Sequence, residues 1–171
     1  MTASLWHRGL GTAREQLPRA DRRDVGAGYA GAGAALCVSV LFALAMTLAD
    51  RVGVGDAALA LVALTALPLV VPAAFLSCLL VWRLVPGEGT YVGLFGGLLA
   101  TLGTYLVSLA ALYVFVLAVA FGSGSDPLGV VLTDAWWFVS LVGVASFLWT
   151  CWLTVPVGCL GGAAYERART T

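Results

Sequence analysis

Four long stretches of this 171-residue chain contain no charged residue at all: 25–49, 57–82, 89–125 and 135–165. Charged residues make up only 11% of the sequence, whereas a typical soluble domain carries about 25%. A helix of about 20 apolar residues is enough to cross a hydrocarbon core about 30 Å thick. The missing charge excludes an ordinary soluble domain and predicts an all-α integral membrane protein, a four-helix transmembrane bundle.

The predicted organisation follows from where the charges return. They separate an N-terminal segment (1–24), a transmembrane domain (25–165) and a C-terminal tail (166–171). The spans are predicted at about 27–49, 58–84, 91–121 and 136–164. The third is long enough to require a tilt, a kink or projection beyond the membrane. A helix on the membrane surface and a disordered tail are both open interpretations of the N-terminal segment.

Lysine, isoleucine and asparagine are absent, and all nine basic residues are arginine. We interpret this bias as the codon usage of a prokaryote with a GC-rich genome. Eight arginines fall on one side of the predicted membrane and only Arg51 on the other. Since cytoplasmic loops are rich in basic residues, we expect both termini in the cytoplasm and the protein in the cytoplasmic membrane. The formal net charge of +0 excludes a basic surface for nucleic acid.

The middle of each predicted span lacks Asp, Glu, Lys, Arg and His. Ionisable residues at that depth mark proton relays and voltage sensors. Their absence argues against both, and against a small four-helix multidrug antiporter that needs a carboxylate in its first span. The single histidine, His7, cannot supply the two ligands of a bis-histidine haem. We therefore predict no cofactor and no metal.

Thiol and serine chemistry have little support in the sequence. None of the four cysteines forms a C-x-x-C pair; they are Cys37, Cys78, Cys151 and Cys159. Buried cysteine behaves as a small apolar residue, and thiol redox chemistry or metal pairing remains the alternative. Ser123 and Ser125 lie in a glycine-rich turn with no histidine on the same predicted side to act as a base. We predict no catalytic residue and no enzyme.

Glycine is abundant, with 21 residues, and its spacing is informative. Gly93 and Gly97, like Gly158 and Gly162, form G-x-x-x-G pairs that allow two helix backbones to approach closely. Gly28, Gly31 and Gly33 likewise leave the start of the first span without bulky side chains, so that another helix can approach it closely. These positions predict helix packing near the cytoplasmic ends, and they leave open whether the contact is internal or between subunits.

Hydroxyl groups and prolines mark the middle of three spans. Polar side chains recur at helical spacing on the third and fourth spans, and Pro68 and Pro72 interrupt the second. Hydrogen bonds between helices and a simple kink are the favoured interpretations. If the chain has a ligand site, we expect it to be lined by Pro68, Pro72, Thr101, Tyr105 and Thr150, because interrupted helices at mid-membrane mark many transporter sites.

These observations predict a non-enzymatic membrane subunit or accessory protein that acts through helix packing. Its expected partners are the lipid bilayer and either further copies of itself or another membrane protein. The alternative is an oligomeric transporter or channel component for an uncharged or hydrophobic solute, and a membrane enzyme is the third choice.

Overall fold

The computed structural model describes residues 22–85, 90–123 and 127–170. These residues form five α-helices and no strand, which confirms the all-helical prediction for the described part of the chain. The helices are α1 (Arg23–Arg51), α2 (Ala57–Thr65), α3 (Leu67–Leu84), α4 (Thr90–Ser123) and α5 (Leu128–Thr170). Predictions made for residues 1–21, His7 among them, and for Ser125 lie outside the described residues.

Four of these helices, α1, α3, α4 and α5, are long and apolar enough to cross a membrane. The connection from α1 to α2 follows ordinary capping rules. Gly53 has φ +75, the left-handed conformation that often ends a helix and that glycine adopts without strain. The Asp56 carboxylate then accepts the Ala58 backbone N–H at 2.8 Å and starts α2.

The second predicted span is two helices rather than one. Helix α2 ends at Thr65 and α3 begins at Leu67, with a break at Ala66. Pro68 is the second residue of α3 and has no backbone N–H to continue the hydrogen bonding of α2 into α3. The N–H groups of Leu69 and Val70 both bond to the Ala66 carbonyl, each at 3.0 Å. The break therefore lies just before the first of the two prolines that the sequence placed in mid-span, whereas Pro72 is accommodated inside α3.

Helix α5 is longer than the predicted fourth span at both ends. It begins at Leu128, so most of the predicted loop from Gly122 to Ala135 is helical. The charge of Asp134 marked the predicted boundary, but an exposed aspartate does not interrupt a helix, and Val131, one turn before it, is buried. At the other end the helix continues to Thr170, through most of the predicted tail. The 43 residues span about 64 Å.

The four long helices pack against one another in the order in which they follow along the chain. Helix α1 lies along α3, α3 along α4 and α4 along α5, while α1 and α5 meet only over a short stretch. We call the end where α1 begins and α5 ends the terminal end, and the opposite end the distal end. Helix α2 packs on α1, and none of its Cα atoms comes within 8 Å of a described Cα atom in α4 or α5. The distal half is thus divided into two helix pairs, α1–α2 and α4–α5.

The buried core is made mostly of alanine. Eight of its eleven apolar residues are alanines, among them Ala27 and Ala43 on α1, and its largest member is Trp82 on α3. Small side chains let helix axes approach closely, which is how membrane helices gain contact when lipid already surrounds their apolar surface. Large apolar side chains are accordingly mostly on the outside.

Candidate functional site

A buried acidic residue lies at the terminal end, where the four spans converge. Glu166 of α5 is 1% exposed. Its Oε1 accepts hydrogen bonds from Arg23 Nε at 3.2 Å and Arg23 Nη2 at 2.9 Å. The Trp82 indole Nε1 donates to the same oxygen at 2.7 Å. One carboxylate thereby joins α1, α3 and α5.

Two further groups complete this arrangement. The Tyr165 hydroxyl donates to the Arg23 backbone carbonyl at 2.9 Å, and its ring meets Trp82 edge to face with centroids 5.8 Å apart. On α4, a Cβ added at Gly93 would lie 2.9 Å from Glu166 Cγ, so glycine makes room for the carboxylate. We call Arg23, Trp82, Gly93, Tyr165 and Glu166 the Glu166 cluster.

The chemistry of the Glu166 cluster is that of a structural ion pair. Burial of a carboxylate costs several kcal/mol of hydration free energy, which an opposite charge and hydrogen bonds have to offset. The Arg23 side chain is only 20% exposed and supplies the opposite charge, and Trp82 supplies a neutral donor. Removal of the Arg23 charge would leave the Glu166 carboxylate buried without this ion pair. The nearby pair of Arg22 and Asp24, at 3.6 Å, is more exposed and less constrained.

Sequence reasoning missed the Glu166 cluster because it used charge to mark the ends of the spans. On that basis Arg23 belongs to a cytoplasmic anchor and Glu166 to a tail. One signal was present: Tyr165 and Glu166 directly continue the last apolar run with no helix-breaking residue between them. A helix that continues for one more turn carries a carboxylate back to the level of the arginines that precede the first span.

The predicted packing glycines lie between α4 and α5 within one chain. A Cβ added at Gly93 would lie 2.5 Å from the Gly162 carbonyl oxygen, and one added at Gly97 would overlap the Gly158 carbonyl. Real Cβ atoms do not approach backbone oxygens so closely. We call Gly93, Gly97, Gly158 and Gly162 the glycine seam, and it is an intramolecular contact.

Glycines of the first span make a second close contact, with α3. A Cβ at Gly28 would lie 2.9 Å from the Phe75 ring, and one at Gly31 would overlap the Cys78 sulfur. At Gly33, which the sequence grouped with them, an added Cβ would meet nothing within 4 Å. Two of the three glycines therefore pack inside the protein and the third lies on its surface.

The five residues predicted to line a ligand site are not gathered in one place. The Tyr105 hydroxyl bonds to the Thr150 hydroxyl and, at 2.9 Å, to the Thr154 hydroxyl, which joins α4 to α5. Thr101 donates to the Gly97 carbonyl of its own helix at 2.8 Å. Pro68 and Pro72 are exposed on α3. Sequence reasoning named Tyr105 and Thr150 but omitted Thr154 from its ligand-lining set.

The cysteines and acidic residues form no recognisable reactive group in the described chain. All four cysteines are free thiols, and Cys37 is exposed on α1. Within residues 22–85, 90–123 and 127–170, no three His, Cys, Asp or Glu side chains are grouped so as to hold a metal ion. Two buried serine hydroxyls there, on Ser77 and Ser108, have no hydrogen-bond partner.

No protein-family model, curated protein or solved structure matches this chain.

Proposed function

We propose that this chain is a multi-pass subunit or accessory protein of a prokaryotic cytoplasmic membrane, with both termini in the cytoplasm, and that it acts through helix contacts with another membrane-embedded chain. The proposal rests on four long apolar helices and on the distribution of arginine. Impermeant labelling of terminal tags in intact cells tests the orientation, and external labelling of either tag would contradict it.

The observation that carries the interaction role is an exposed aromatic face on α5. Trp149 is 60% exposed and Trp152 is 66% exposed, and both lie near the middle of the charge-free run 135–165. Tryptophan in membrane proteins concentrates at the two interfaces, where its N–H reaches polar groups. Here the Trp152 Nε1 donates to the Trp149 carbonyl at 2.7 Å instead.

Because that N–H is bonded within its own helix, the Trp152 ring is suited to apolar contact at mid-membrane depth. Leu141 and Leu148 are 70% and 66% exposed at helical spacing from it. Tryptophan is enriched among the residues that carry most of the binding free energy at protein interfaces. The glycine seam is occupied within the chain, so a partner has to use a surface of this exposed kind.

Site-specific photo-crosslinking in native membranes tests the proposal. A photoreactive residue at Trp152 should give crosslinked protein adducts, because a packed partner lies within reach of that side chain. The same residue at Val139, which is 7% exposed on the same helix, should react only within the chain. Lipid adducts alone at Trp152, Leu141 and Leu148 would contradict a protein contact on this face.

A second candidate function is a transporter or channel component for an uncharged solute. Two observations favour it. Three hydrogen-bonded hydroxyls, those of Tyr105, Thr150 and Thr154, lie between α4 and α5. At the distal end, the α1–α2 pair is separated from the α4–α5 pair. Tyr105→Phe should then reduce flux while assembly is unchanged. Tyr113→Phe is a matched control, since Tyr113 contacts Trp136 through its ring, at 6.4 Å between centroids.

A further inference from the structure

The four neighbouring helix contacts are held together in different ways. Glycines bring α4 against α5 and α1 against α3. Between α4 and α3, a Cβ added at Gly103 would lie 3.3 Å from the Ser77 side chain. The contact between α1 and α5 is short. It includes the Arg23–Glu166 ion pair and the bond from Tyr165 to the Arg23 carbonyl. The helix ring is therefore closed by polar contacts at its terminal end.

The distal half lacks a comparable closure among the residues that the structure describes. Helix α2 buries only Ala60, and Leu61 and Val62 are 65% and 61% exposed. Its Cα atoms stay more than 8 Å from those described in α4 and α5. The helix break at Ala66 separates α2 from α3, which does pack on α4. Ala66 keeps a right-handed helical conformation, and Pro68 lacks the N–H that would bond to the Leu64 carbonyl across it. Bending at such a proline site disturbs little of the packed helix that follows.

We propose that the Glu166 cluster is a clasp that holds the terminal ends of the four spans together, while α2 and the adjoining half of α1 move relative to α4 and α5 about the break at Ala66. Arg23 and Trp82 both donate to Oε1 of Glu166, so loss of this carboxylate's charge weakens the direct links from α1 and α3 to α5, most strongly the ion pair with Arg23. The glycine seam keeps α4 and α5 together throughout.

Spin-label distances in lipid nanodiscs test the clasp. Labels are attached by chemistry orthogonal to thiols, so the four native cysteines remain. One pair reports the terminal end, at the exposed positions Ala30 on α1 and Ala164 on α5. A second pair reports the distal half, at Leu61 on α2 and Val119 on α4, which are 65% and 58% exposed.

In the unmodified protein the terminal pair should give one narrow distance and the distal pair a broad distribution. Glu166→Gln should broaden the terminal distance distribution and shift its mean to a longer distance. Asp24→Asn is the matched control, because it removes one carboxylate from the more exposed Arg22–Asp24 pair, and it should leave the terminal distance unchanged.

The proposal is overturned by an unchanged terminal distance in folded Glu166→Gln, or by a distal distribution as narrow as the terminal one in the unmodified protein. If Glu166→Gln is not recovered folded, Arg23→Lys decides. Lysine at position 23 keeps the positive charge but cannot donate from two nitrogens to Oε1 of Glu166. The proposal then predicts a broadened terminal distance, and an unchanged terminal distance refutes it.

Discussion

Individual side chains show how a mostly apolar helical protein accommodates charge. Glu166 is buried to 1% exposure, yet it lies at the helix ends, where Arg23 is still 20% exposed. The arginine's long aliphatic stem can pack among apolar groups while its guanidinium holds the carboxylate. The indole of Trp82 adds a donor without adding charge. This buried charge is thus held by three donor atoms from two side chains, all directed at one carboxylate oxygen.

Loss of the Glu166 charge should be costly for stability. Glu166→Gln removes the charge that faces the Arg23 guanidinium, and breaking a buried ion pair from one side costs about 3–5 kcal/mol. Because the Arg23 side chain is 20% exposed, we expect the lower end of this range. Unfolding in a graded series of denaturing detergent measures the change in free energy. Asp24→Asn, from the more exposed pair with Arg22, should cost less than about 1 kcal/mol. Equal costs for the two variants would show that Glu166 is not buried in an ion pair.

At the residue scale, the sequence drew attention to the small residues but not to this charge. The G-x-x-x-G spacing identifies which faces of two helices can approach closely, because glycine has no side chain to hold the backbones apart. It cannot tell which helix is the partner, and it therefore left the seam's internal nature open. The unbroken run through Tyr165 and Glu166 indicates that α5 continues, but the burial of Glu166 also depends on where α1, α3 and α4 end in space, which the local sequence does not contain.

At the scale of helices, the glycine seam determines how α4 lies against α5. Gly161 and Gly162 are neighbours on α5 with opposite surroundings. A Cβ at Gly161 meets nothing within 4 Å, whereas one at Gly162 overlaps the Gly93 carbonyl. The two positions share the intrinsic helix preference of alanine over glycine, so their difference isolates the close packing of the two helices.

Gly162→Ala should therefore destabilise the folded protein and Gly161→Ala should not. The overlap at position 162 should cost about 1–3 kcal/mol, as added volume does in a packed interior. At position 161, alanine should be neutral or stabilising by up to about 1 kcal/mol. Detergent unfolding of the two purified variants measures both values. A Gly162→Ala variant as stable as Gly161→Ala would mean that α4 and α5 do not meet at the seam.

Helix boundaries were predictable to the extent that they are set by local chemistry. Pro68 and Pro72 indicated an interruption of the second span, and the helix break lies next to Pro68. The start of α5 at Leu128 was not predicted, because the charge of Asp134 suggested the end of a loop although this residue is exposed on a continuous helix. A charged residue limits where apolar surface lies, but it does not by itself end a helix.

The whole molecule combines a closed terminal end with a divided distal half. Its core is small and rich in alanine, and its large apolar side chains are mostly exposed. In a bilayer that surface contacts lipid or another membrane chain. Since the glycine contacts found between α4 and α5 and between α1 and α3 are used within the chain, the exposed aromatic face of α5 is the strongest indication of a partner.

Native mass measurement of the protein extracted gently from its own membrane tests this account most directly. One chain has a mass of 17.7 kDa. We predict a complex heavier than one chain plus bound lipid, and its loss when Trp152 and Leu148 are both replaced by alanine, with Gly161→Ala as a variant that retains it. A single chain carrying only lipid in the unmodified sample would contradict the proposed role as an interacting subunit.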